Sequence, residues 1–357
     1  VGSGDRYGRV VLTAASRSIR ELQVTFEAEA DVHIAGTLCL RQDTSPQSRT
    51  GGIVLLGGTF GDTRDGDMAP ERSPYAGSVP SSGLLRRIAH ALAASGVATL
   101  RFDKRGCGSS GGDARAADSE SDLRDAVAAV RALRARPEID PIRVGVFGHS
   151  AGASLACDIA RTQPDIAAVG LLGMLFSSLE DLVRWNWGRV AQIWPQLTAQ
   201  QRQWLRDNRQ REVVGAFRTE EFIAAAHATA DRVALSAEGV NVELDLRRFR
   251  QGMDGPHGSP RAEQYRGVQC PALVLHGGDD LNVRVEDALE SYRALRMIGN
   301  DRVTLVVLPG LDHNFQPSAT DALQRAWERI TFESQGHPVS PVALETMVTW
   351  AAQALAR

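Results

Sequence analysis

The chain has 357 residues, 43% of them hydrophobic, with 40 basic and 43 acidic side chains and a formal net charge of −3. Such a composition can bury a large core, and its balanced charge offers no basic surface to a nucleic acid. No apolar stretch approaches the roughly 20 residues that a membrane-spanning helix needs.

Taken in order, residues 22–26 and 32–40 predict the two strands of an N-terminal hairpin, and residues 52–56 a first buried strand. Residues 82–94 predict a helix, 97–102 a strand and 121–136 a second helix, with capping-box-like spacing at Ser119 and Asp122. An apolar run at 142–147, a helical run at 153–161 and a strand at 166–172 complete the first half. The alternation then stops. Residues 176–266 read as a largely helical cap inserted into a core made of residues 1–175 and 267–357, and the strand pattern resumes at 271–275 and 302–308. Residues 322–357 carry two amphipathic runs that would close the sheet, the second opened by Ser340-Pro341, a cap followed by proline at the first helical position.

The chemistry is carried by Gly148-His149-Ser150-Ala151-Gly152, set between an apolar run and a helical run. Two glycines allow a sharp strand-to-helix turn that lifts the serine hydroxyl above the sheet, next to the N–H groups of a helix start. The bare pattern is common, so its context decides. Two later strands each end in polar candidates: one runs into His276-Gly277-Gly278-Asp279-Asp280-Leu281-Asn282-Val283, the other into Pro309-Gly310-Leu311-Asp312-His313. Serine, aspartate and histidine therefore arrive in that chain order, each at the C-terminal end of a strand, where open parallel sheets collect their chemistry.

These pieces, with Leu55-Leu56-Gly57-Gly58-Thr59-Phe60 and Asp103-Lys104-Arg105-Gly106-Cys107-Gly108-Ser109, resemble a serine hydrolase of the α/β-hydrolase superfamily, close to its esterase and serine-aminopeptidase-like branches. The resemblance covers most of the chain. It implies an α/β-hydrolase fold, a mostly parallel sheet flanked by helices under a cap. It also implies a triad of Ser150, Asp280 and His313, with Asp280 chosen over Asp279 by the family pattern Gly-x-x-Asp-x-x-Val. The oxyanion donors it implies are the N–H groups of Ala151 and Thr59. Gly58 and Phe60 are alternatives on the same loop, which opens Gly57-Gly58 where the family motif opens with histidine-glycine.

Other features have plainer readings. Phe60, His149, Trp185 and Trp187 are candidate substrate contacts, although any one cap tryptophan can equally glue the cap helices together. His257 could touch substrate, and a solvated turn would explain it as well. Gly106 to Gly111 matches G-x-G-x-x-G, but residues 113–118 intervene before a helix, so no dinucleotide site is expected. Asp62, Asp65 and Asp67 miss the calcium-loop spacing and read as a solvated acidic turn. Asp312 reads as structural. The four cysteines, Cys39, Cys107, Cys157 and Cys270, are scattered and give neither a zinc pattern nor a disulfide framework.

The expectation is a serine hydrolase that cleaves a carboxylic ester of a small molecule through an acyl-enzyme, with no cofactor and no metal. Three rivals stand beside it: a serine-aminopeptidase-like peptidase, in which Glu220 and Glu221 would hold an amine; an acyltransferase or thioesterase; and a non-catalytic ligand-binding module. No nucleic-acid partner and no membrane span are expected, and a homo-oligomer is left open. Val1 in place of an initiator methionine reads as a trimmed start, so a removed signal stays open; the cysteine usage points to a cytoplasmic setting.

Overall fold

The computed structural model describes residues 18–59, 61–70, 79–247, 249–250 and 264–356. Phe60 and His257 lie outside the described residues. The N-terminal hairpin consists of β1 (Ile19–Glu29) and β2 (Val32–Arg41). It leads into β3 (Thr50–Leu56), α1 (Leu84–Ser95), β4 (Ala98–Phe102), α2 (Ser119–Arg134), β5 (Ile139–His149), α3 (Ala151–Thr162) and β6 (Val169–Leu172). After the insertion come β9 (Ala272–Gly277), α7 (Val285–Met297), β10 (Val303–Leu308), α8 (Ala322–Thr331) and α9 (Pro341–Ala354).

Eight strands form one sheet in the order β1-β2-β4-β3-β5-β6-β9-β10. The hairpin joins antiparallel at β2 and β4, and every pairing from β4 to β10 is parallel, so six strands point their C-terminal ends to one edge. Apolar residues on both faces of β3, β5, β6 and β9 explain their continuous burial, as parallel strands between helices require. α2, α3 and α7 cover one face, and α1 and α9 the other. α1 shows why the pattern works: Leu84, Leu85, Ile88, Ala89 and Leu92 fall on one buried stripe, and Gly96 at φ 99° ends the helix in the left-handed region.

The insertion has its own core. α4 (Leu179–Ile193), α5 (Ala199–Asn208) and α6 (Gln210–His227) pack with a hairpin of β7 (Arg232–Ala237) and β8 (Val240–Asp245). The hairpin is an addition to the largely helical insertion: Val233, Leu235, Val240, Val242 and Leu244 recur with a period of two inside a helix-rich segment. α8 is a correction. Its Ala326 and Ile330 join the core of the insertion, and Arg209 donates to the carbonyls of Ile330 and Thr331, so only α9 of the two C-terminal helices covers the sheet. The cap of α2 is Asp118 rather than Ser119; its carboxylate accepts from the Ser121 N–H while the Ser121 hydroxyl accepts from the Asp118 N–H. Among the described residues no helix is long and apolar enough to cross a membrane.

Candidate active site

β5 delivers the elbow. Ser150 has φ 56° and ψ −122°, a conformation costly for a residue with a side chain, and its N–H donates to the Leu172 carbonyl of β6 at 2.8 Å. The turn closes because Gly148 and Gly152 face each other: a Cβ on Gly148 would lie 1.9 Å from the Gly152 carbonyl oxygen. The loop after β3 passes over the serine, since a Cβ on Gly58 would meet Ser150 Cβ at 2.9 Å. Ala151 stands at the first position of α3, whose N–H has no partner within the helix, and Thr59 follows Gly58 on that loop; both are exposed. Lys104, the only lysine of the chain, donates to the Gly58 carbonyl at 2.5 Å and lies 3.8 Å from the buried Asp62, which fixes the loop from behind.

β9 and β10 deliver the other two groups. His313 Nδ1 donates to Asp280 Oδ2 at 2.6 Å, and the other carboxylate oxygen accepts the N–H groups of Asn282 at 2.7 Å and Val283 at 2.9 Å. Burial alone would raise the Asp280 pKa. The His313 charge and hydrogen bond, the His276 charge and the Val283 N–H outweigh it and hold the carboxyl below its usual range. Asp279, the competitor, instead pairs with Arg325 at 3.3 Å.

Gly173, at φ 59° past the end of β6, leaves room for the imidazole: a Cβ there would sit 3.0 Å from His313 Cε1. Ser150 and His313 thus border the same strand end. Among the described residues Ser150 Oγ has no hydrogen-bond partner, and catalytic hydrogen bonds in unliganded sites often tighten only when substrate arrives.

The family model for serine aminopeptidase, S33, matches residues 76–316, about two thirds of the chain. The chain belongs to the serine aminopeptidase S33 family. Its mostly parallel sheet flanked by helices is the α/β-hydrolase fold. An uncharacterized protein of Mycobacterium tuberculosis is 33% identical over 137 residues, 38% of this chain and 47% of the relative, so the match spans about half of that relative's length. Among solved structures, ferulic-acid-bound Est1E from Butyrivibrio proteoclasticus superposes with a TM-score of 0.53 at 16% identity, covering 87% of this chain and 97% of that one. Pyrococcus horikoshii acylaminoacyl peptidase gives 0.53 at 13% identity, over 90% of this chain and 41% of that one. At such identities these two likenesses show a shared fold.

One residue beside Asp280 escaped sequence reasoning, and the candidate substrate contacts fall in different settings. His276, on β9, sits fully buried with Nε2 3.1 Å from the Val283 carbonyl and 3.3 Å from Asp280 Oδ2, so a second imidazole flanks the acid. Its i, i+4 spacing to Asp280 across a strand end was the available signal. His149 turns away from a substrate role: buried, it donates Nε2–H to the His313 carbonyl at 2.9 Å. Trp187 is 6% exposed and packs edge-on against Phe222 at 4.9 Å inside the insertion core, above Gly215, so it serves the packing of the insertion. Trp185 keeps an indole partly exposed beneath Arg189.

Asp62, Asp65 and Asp67 are not a solvated turn. Asp62 is buried beside Lys104, Asp65 binds Arg101 and Arg86, and Asp67 accepts from Ser81 and the Gly83 N–H. Asp312 is structural as expected, accepting the N–H groups of Asn314 and Gln316. A cavity of about 130 Å³ opens between the first turns of α2 and α3, bordered by Leu56, Phe102, Lys104, Ala151, Leu155 and Asp158; it adjoins the elbow at Ala151 and Gly152 and is not lined by Ser150, Asp280 or His313.

Proposed function

We propose that this S33 chain hydrolyses a carboxylic ester of a small molecule through an acyl-enzyme on Ser150. The observation that carries the reading is the 2.6 Å bond between His313 Nδ1 and Asp280 Oδ2 at the strand end that also borders a strained Ser150. With Nδ1–H given to the carboxylate, the neutral imidazole keeps its Nε2 lone pair for the serine proton. As Ser150 Oγ attacks the ester carbonyl, His313 takes that proton and Asp280 stabilises the imidazolium. The proton then passes to the departing alkoxide as the C–O bond breaks. Water, deprotonated by the same imidazole, releases the acid.

The N–H groups of Ala151 and Thr59 face the developing oxyanion, and loss of one such donor costs about 3 kcal/mol in the barrier. In this reading residues 176–266 cap a core of residues 1–175 and 267–357, and Trp185 supplies an apolar wall. The likeness in fold to Est1E, whose structure holds ferulic acid, is consistent with an ester substrate.

A peptidase reading is the main rival, since the family is described by its aminopeptidase members. Against it, Glu220 is held by Arg184 at 2.7 Å and Glu221 lies 3.4 Å from Arg218, which leaves neither as an evident seat for an amine.

The test is intact-mass spectrometry after fluorophosphonate treatment, with p-nitrophenyl esters and aminoacyl amides assayed in parallel. A single adduct, absent in Ser150→Ala, with ester turnover falling on the order of 10⁶-fold, supports the proposal. Labelled protein that cleaves the amides and not the esters would replace it with the peptidase reading.

A further inference from the structure

α4 is anchored on the loop that carries the acid. Asn186 donates to the Asn282 carbonyl at 2.9 Å and accepts from Arg329, whose Nε also donates to Asn282 Oδ1 at 2.5 Å; the Asn282 N–H in turn binds Asp280. Two residues flanking this anchor on α4, Trp185 and Arg189, are one helical turn apart and stack, with the Arg189 guanidinium carbon 3.8 Å from the indole centre.

Both stacked side chains have unused donors. Trp185 Nε1 and Arg189 Nε are buried with no hydrogen-bond partner, and among the described residues no carboxylate lies within 4 Å of the Arg189 guanidinium. The neighbouring cations are occupied: Arg325 by Asp279, Arg329 by Asn186 and Asn282, and Arg284 by Ser177 and Asp287. Burial lowers the Arg189 pKa, Arg329 and Arg325 lower it further, and Asp280 opposes them, which sets this cation in the electrostatic neighbourhood of the triad.

A half-buried guanidinium with an orphaned N–H, among like charges, is costly unless an anion completes it. The indole keeps its plane fixed, and a planar fork suits a carboxylate or phosphate. On the ester reading above, the anion that would reach this pair beside the Asn282 loop is part of the substrate.

We infer that Arg189, braced by Trp185, is a specificity-determining residue that binds an oxyanion group, carboxylate or phosphate, on the substrate. The inference rests on the ester reading above and names the substrate class: an ester whose acyl or alcohol part carries a second, ionised group. Trp185 Nε1–H supplies a further donor to the same anion.

The experiment compares mono-p-nitrophenyl glutarate with the neutral p-nitrophenyl valerate. The wild-type enzyme should favour the anionic ester by about 10- to 100-fold in kcat/KM, the worth of a hydrogen bond to a charged group. Arg189→Met should bring the ratio to about one, and Arg189→Lys should restore part of it.

Binding is read separately by calorimetry on Ser150→Ala protein with monomethyl glutarate and with methyl phosphate, which distinguishes the two oxyanions and needs no turnover. Heat of binding lost in Ser150→Ala/Arg189→Met supports the site even if the ester reading fails. Should the methionine variant not fold, protection of Arg189 from phenylglyoxal by either ligand in wild-type protein takes its place. A wild-type ratio near one, together with no binding of either anion, overturns the inference.

Discussion

The rings of His149 and His313 stand 4.6 Å apart, and Nε2 of His149 donates to the backbone carbonyl of His313 at 2.9 Å. A carbonyl only accepts, so His149 carries its proton on Nε2. Burial first, and then the charge of His313, push its pKa down to about 3. His149, the residue before the proposed nucleophile, thus braces the proposed base as a neutral imidazole.

His149→Ala should therefore lower kcat by about 10²-fold with little change in KM, because a misplacement of the base by about 1 Å acts on chemistry more than on binding. His149→Gln, which retains a donor at the reach of Nε2, should recover much of the loss. Steady-state kinetics on a p-nitrophenyl ester decide it. Equal defects in both variants would mean that His149 only fills space.

Gly173 makes a sharper demand. A side chain there meets His313 Cε1 at 3.0 Å and Nδ1 at 3.2 Å, on a backbone at φ 59° that L-residues disfavour. Gly173→Ala should destabilise by about 1–2 kcal/mol from the backbone alone. It should also lower kcat by about 10²-fold as the imidazole shifts away from Asp280. Thermal melts and kcat measured on one preparation check both parts; a variant as active as wild type would show that the ring has room to move.

Asp312 predicts an unusual pH profile. Burial, helped by the charge of Asp280, pushes its pKa up to about 6, against the N–H groups of Gln316 and Asn314 that hold it down. With an unfolded value near about 3.9, the folded protein binds more protons than the unfolded chain between the two, so this group's contribution is full below about pH 4 and is lost as pH rises to about 6. Asn314 and Gln316 both donate to Oδ1, which an asparagine retains. Asp312→Asn should stabilise the protein at pH 7 by about 1–3 kcal/mol and hardly at all at pH 4. Urea unfolding at the two pH values measures it, and equal effects at both would remove Asp312 from the profile.

The loop after β4 should be sensitive to charge removal. Arg105 grips Asp125 of α2 with two bonds, 2.6 and 3.1 Å, and also reaches Glu29 on β1, tying the hairpin to the core. Arg105→Met leaves Asp125 buried without its partner and should cost about 3–5 kcal/mol, whereas Arg105→Met with Asp125→Leu should regain most of that. Chemical denaturation of the two variants tests the pair; a single variant within about 1 kcal/mol of wild type would mean that water replaces the guanidinium.

Much of the core and of the elbow was legible because its signals are local. Alternation of apolar runs predicts the strands, the stripe from Leu84 to Leu92 predicts α1, and glycines at 148 and 152 mark a turn that side chains would block. The chain order of Ser150, Asp280 and His313 needs only the strand ends on which they sit. What the tertiary structure decided depends on partners far apart in the chain. β6 lies between β5 and β9, and that adjacency sets Gly173 beneath His313. The same holds for α8 joining the insertion, for His149 bracing His313, and for Arg189 standing, among the described residues, without a carboxylate partner. Periodicity reports which face of an element is buried. It carries no information on which distant charge or ring will occupy the space opposite, and that is where the pKa values and the specificity of this protein arise.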